Sequence, residues 1–206
     1  MTAPPRIPRA RALAIVVGAL AAAGVAVGGL WAWLAPPVHG VVALARSGER
    51  IHAYLGNEHD HFFDAAFLML GMLVVVAVVA ASAVWQWRAH RGPAMVVAFS
   101  LGTISAAVLA TVVGEVLVAL RYGTVDVAAA PVTPDDRIWY FAQAPGAFFG
   151  PLPLQVATTL LLPAAAGALA YAVGVVAAVR DDLDAYPPEP VTAAAGEPAA
   201  RSAAVR

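Results

Sequence analysis

Cysteine is missing from this chain of 206 residues, and so is lysine, since all 12 basic side chains are arginine. The first absence excludes disulfides and thiolate chemistry in whichever compartment the loops lie. Charge as a whole is scarce, at 12% of residues. It vanishes from four stretches: Ala12 to Ala35, Ala65 to Trp87, Ala94 to Gly114 and Leu152 to Val179. Phosphate-cradling glycine loops, nucleophile elbows and paired catalytic carboxylate motifs are missing too, which removes the usual marks of nucleotide-dependent and hydrolytic enzymes. No cofactor and no nucleic-acid partner is expected.

What remains is mostly apolar. A content of 61% hydrophobic residues and a mean hydropathy of +0.77 are wrong for a water-soluble globule. Each uncharged stretch holds 21 residues or more, and a helix rising about 1.5 Å per residue needs roughly 20 to cross about 30 Å of hydrocarbon. Lipid offers no water to backbone groups, so the stretches read as helices. The expectation is an all-α membrane protein with a cytoplasmic arm at 1–10 and a four-helix domain at 11–179. Its spans are expected at about 12–35, 62–87, 94–120 and 152–179, with outer loops at 36–61 and 121–151. The tail at 180–206, acidic and then rich in Pro, Ala and Glu, is expected to be disordered. Arg6, Arg9 and Arg11 precede a 24-residue apolar run. That run is too long for a signal h-region, so the first span reads as an uncleaved anchor.

Arginine placement orients the chain. Eight arginines, including Arg88, Arg91 and Arg180, fall on the side of the two termini, against Arg46, Arg50, Arg121 and Arg137 on the other. Both termini are therefore expected in the cytoplasm. The tryptophans Trp31, Trp33, Trp85, Trp87 and Trp139 all fall near span ends, where indole favours the interface.

The outer loops are the least generic segments. Between Gly40 and Gly56, two short apolar runs flank a Ser47-Gly48 turn signal, which fits a β-hairpin. On it Val41, Ala43 and Ala45 would share a face with Ile51, Ala53 and Leu55, with Arg46, Arg50 and His52 on the other. An amphipathic interfacial helix is the alternative, interrupted by Gly48. In the second loop, no charge occurs for 42 positions from Ile138 to Val179. The run Trp139 to Phe149 is expected to lie on or dip into the outer interface before Pro151 and Pro153 open the last helix.

Four constellations could carry function. Glu115, an ionisable group within a span, reads as a proton-coupling or cation-binding acid; alternatively it sits near the interface and reaches water or Arg121 or Arg137. With Asp64, Gln155, Thr158 and Thr159 it could line a polar pocket near the kink that Pro163 introduces, or those residues simply cap and back-bond their own helices. His52, His59 and His61 stand among carboxylates and are weak zinc candidates at unspecific spacing. Gly24, Gly28, Ala166, Ala170 and Gly174 form small-residue faces suited to close helix packing, either within the bundle or against another subunit.

Three segments carry a resemblance. Leu34 to Gly40, His61 to Phe67 and Arg137 to Gly146, the last followed by Phe148-Phe-Gly150, resemble an uncharacterised family of actinobacterial four-helix membrane proteins over roughly Arg11 to Asp184. The same features are similar to an accessory membrane subunit of mycobacterial Mce-type lipid importers. The resemblance implies a bacterial plasma membrane and brings no catalytic residues. The resulting expectation is a non-enzymatic accessory subunit of a cell-envelope complex, docked to other integral membrane subunits through a loop presenting Trp139, Tyr140, Phe148 and Phe149. A proton-coupled carrier, working as a homodimer around Glu115, and a metal-dependent envelope enzyme are the alternatives.

Overall fold

The computed structural model describes residues 7–123, 125–178 and Leu183; the expectations for the arm's first six residues and for nearly all of the tail lie outside these. Four helices are long and apolar enough to cross a membrane: α1 (Arg9–Leu34), α2 (Asp60–Gln86), α3 (Pro93–Tyr122) and α4 (Pro153–Ala177). Local chemistry sets their ends. α1 stops before Pro36-Pro37, where helical geometry is disfavoured at the preceding residue. α3 and α4 each open on a proline at the first helical position, where its missing amide leaves no bond unmade. Gly123, at a φ of 73°, closes α3. At α4, the Gln155 side chain folds back to accept from the Leu152 amide.

The helices pair as two parallel sets. α1 packs mainly on α3 and α2 on α4, while α1 and α2 touch much less. Glycine makes the first seam close: a Cβ on Gly24 would collide with the Ala106 backbone, and one on Gly28 with that of Ala110. In lipid, where hydrocarbon solvates leucine as well as another helix does, such backbone approach is the main source of packing energy. On α4 the buried line runs through Pro163, Gly167 and Tyr171. Gly167 lies against Phe99 and Ala77, and Gly174 against Trp85, with Ala166 and Ala170 only half-buried beside them.

The loops meet at one end of the bundle. The expected hairpin is present as β1 (Val38–Leu44) and β2 (Arg50–Tyr54), turned at Gly48 with a φ of 87°. Part of the aromatic run is a strand that the sequence did not announce: Ile138–Gln143 forms β3, which pairs antiparallel with β1 and completes a sheet of order β2-β1-β3. Strand pairing satisfies a row of backbone groups that an irregular interfacial segment would leave to water or lipid.

Trp31 also departs from expectation. It is 0% exposed, and its indole donates to the Ala65 carbonyl at 2.7 Å, whereas Trp33 is 72% exposed. Seven residues after Gly24, Trp31 falls on the α3-facing stripe and fills the space over Gly114.

Candidate functional site

The two faces of the sheet differ sharply. Val42 packs in a small core with Ala130, Val132 and Phe141, a Cβ on Gly40 would collide with the Phe141 ring, and Val38 on the same face is buried. His52 is on the same side of the sheet but exposed at its edge strand, edge-on to Tyr54 at 5.0 Å and near Phe141 at 6.3 Å. The opposite face has no such cover. Register places Ile51, Ala43 and Ile138 in one cross-strand row and Ala53, Val41 and Tyr140 in the next. Ile51 is 54% exposed and Tyr140 66%. The face shared by Val41, Ala43, Ile51 and Ala53 is as the alternation implied, and β3 widens it.

A carboxylate holds the sheet to the bundle. Glu58 Oε2 accepts from the His39 amide at 3.1 Å and from His39 Nδ1 at 3.1 Å, and lies 2.9 Å from His61 Nδ1. His61 Nδ1 also lies 2.8 Å from the Pro37 carbonyl, an acceptor only, so the proton is assigned to Nδ1. β1 and the first turn of α2 thus meet at one carboxylate, and His61 ties the Pro36-Pro37 link to the same point. The hydrogen bond from the His39 side chain, followed by that from its amide, holds Glu58 below its ordinary value of 4.5 against a smaller opposing effect of desolvation.

The three metal candidates do not converge. His52 is exposed on β2 beside Tyr54, His59 is exposed and pairs with Asp60 at 3.1 Å, and His61 lies beside Glu58. Among the described residues no group of three or more His, Cys, Asp or Glu side chains is arranged to hold a metal ion. The second imidazole at Glu58, His39, is not legible in the sequence because 19 residues separate it from Glu58 and no spacing motif links them.

The polar-pocket residues lie on three helices. Glu115 is half-buried on α3 and Asp64 exposed on α2. Gln155 caps α4, and the Thr158 hydroxyl donates to the Leu154 carbonyl of its own helix at 2.8 Å. No hydrogen bond or ion pair among the described residues joins any two of these four. Thr159 is different: its buried hydroxyl has no partner among them, one turn before Pro163. Arg121 stacks over Tyr122 and Arg137 bonds the Pro134 carbonyl, so neither arginine is paired with Glu115.

The aromatic loop divides its work. Trp139 faces the covered core, Phe148 packs toward Trp31, and Phe149 rests 5.5 Å from Phe63, which stacks on Phe67. Of the four partner-contact candidates, Tyr140 alone stands on the uncovered face.

Comparison with known proteins places this geometry in a family without assigned chemistry. An uncharacterised protein of Mycobacterium tuberculosis (strain H37Rv), Rv1591, is 52% identical over 169 residues, covering 82% of this chain and 88% of the relative. An uncharacterised Mycobacterium leprae protein, ML1222, is 51% identical over 176 residues, 85% of this chain and 89% of its own length. No solved structure matches. These relatives show no link to lipid importers. Residues 20–185 match the family described as "Protein of unknown function (DUF2567)", and the chain belongs to it.

Proposed function

We propose that the chain is a non-enzymatic integral-membrane accessory subunit of a larger cell-envelope complex, and that the uncovered sheet face is where its neighbour docks. The observation that carries this reading is the pair of apolar rows Ile51-Ala43-Ile138 and Ala53-Val41-Tyr140, left open on a sheet whose other face is packed. Contiguous apolar patches on otherwise polar protein surfaces mark interaction sites. The Glu58 knot and the Phe141-Gly40 contact support it, because a face held in place loses little entropy on binding. With the arginine-rich ends in the cytoplasm of a bacterial plasma membrane, this face looks into the envelope. A lipid-import complex is the setting that the resemblance implies.

Native mass spectrometry of the tagged full chain, extracted in mild detergent, tests the proposal. A stoichiometric partner is expected, lost in Ile51→Glu combined with Tyr140→Glu and kept in Arg46→Gln at the hairpin tip. A mass of two copies would make the face a homodimer contact. A chain that migrates alone sinks the reading.

A second reading, a small proton-coupled carrier working as a dimer, draws on Glu115, half-buried on α3 without a hydrogen-bond or ion-pair partner among the described residues. Full function in cells carrying Glu115→Gln would remove it.

A further inference from the structure

The weak contact between α1 and α2 leaves a groove, and its chemistry identifies an occupant. A cavity of about 380 Å³ runs between the two helices, lined by aliphatic side chains such as Ile15, Ala19 and Ala23 on α1 and Val75, Val79 and Ala83 on α2. A second, of about 470 Å³, shares Val75 and Val76 with it and continues toward the sheet end. Both lie within helices apolar enough to span a bilayer. Water gains no hydrogen bonds in such a groove, so hydrocarbon fills it. From Ile15 to Ala23 the first cavity is about 12 Å deep along the helix axis, close to one leaflet of a hydrocarbon core about 30 Å thick.

The mouth of that cavity, at the end of the bundle away from the sheet, is basic. Arg11 lies one turn before Ile15 on α1, and Arg88 lies four residues past Val84 in the short 3-10 turn Arg88–His90. Both are exposed, and neither takes part in a hydrogen bond or ion pair among the described residues. Arg91, by contrast, is committed: it donates to the carbonyls of Trp85 and Leu183 and stacks over the Trp85 ring. No carboxylate occurs among the described residues of this end.

We propose that the α1/α2 groove is a lipid site: it holds one acyl chain of an anionic glycerophospholipid while Arg11 and Arg88 receive the phosphate headgroup. The helices supply the chain's slot and the arginines select the charge. This inference is independent of the docking role of the sheet.

Lipid binding to the full-length protein in detergent, followed by native mass spectrometry, tests it with phosphatidylglycerol and phosphatidylcholine of identical acyl chains. Phosphatidylglycerol is expected to be retained in preference. Arg11→Gln and Arg88→Gln are each expected to weaken it about fivefold, the worth of one arginine at an anionic surface, with phosphatidylcholine unaffected. Ala19→Leu with Ala83→Leu, which fills the groove, is expected to weaken both lipids. Equal retention of the two lipids, no response to the arginine variants, or undiminished phosphatidylglycerol in a folded groove-filled variant would each overturn the proposal. The arginine variants lie outside the packed bundle, so their outcome stands even where the filled variant does not fold.

Discussion

The two seams of α1 make opposite use of small residues. Against α3, Gly24 and Gly28 bring backbone onto the backbone of Ala106 and Ala110, and no space remains. Against α2, Ala19 and Ala23 face Val75, Val79 and Ala83 across an open groove. A stripe of small residues therefore does not by itself define a contact. It closes a seam where the facing helix also offers a small, regular surface; where β-branched side chains hold the partner off, it leaves a slot for lipid.

Single substitutions can break that contrast. The largest effect is expected for Gly24→Leu, where the Ala106 backbone cannot give way: a loss of about 3 kcal/mol or more, beyond ordinary overpacking, read as a lowered thermal midpoint in detergent. Gly18→Leu and Gly29→Leu, which meet nothing within 4 Å, should stay near wild type in the same assay. Next comes Trp31→Phe, which removes the donor that ties α1 to the Ala65 carbonyl of α2 and should lose about 1–3 kcal/mol. Ala83→Leu, placed in the open seam, should stay within about 1 kcal/mol of wild type; a loss as large as that of Gly24→Leu would show that the groove is packed after all.

The smallest effects concern pH, at the two ends of the bundle. Glu58 is held below 4.5, so its contribution is fully present above that value and is lost as pH falls through its lower folded value. Acid unfolding of the sheet end should therefore lose steepness in Glu58→Gln, followed by tryptophan fluorescence. At the other end His90 is buried, and desolvation, followed by the charge of Arg9, pushes it below its ordinary 6.5. The unfolded chain then takes up a proton that the folded one refuses, so stability falls as pH drops below about 6.5. His90→Gln should flatten that slope.

Much of the architecture was legible because it is local. Uncharged runs mark the four helices long and apolar enough to span a membrane, and the Ser47-Gly48 turn with its alternating flanks marks the hairpin. β3 was not legible: Trp139-Tyr-Phe141 reads equally well as an interfacial aromatic run, and its partner β1 lies about a hundred residues earlier in the chain. The Glu58 knot was hidden for the same reason, since His39 reaches the carboxylate only after the chain reverses through the hairpin. Trp31 was misread because span-end position outweighed its place on the Gly24-Gly28 stripe.

By itself the sequence determined how many long apolar helices the chain forms and roughly which segments make them, because hydropathy and capping act between a residue and its immediate surroundings. Only the tertiary structure decided that α1 pairs with α3 in place of its neighbour α2, that a groove therefore opens between consecutive helices, and that one face of the sheet stays uncovered. Those outcomes depend on how the shapes of surfaces distant in the chain fit one another, and that fit exists only once the chain has folded.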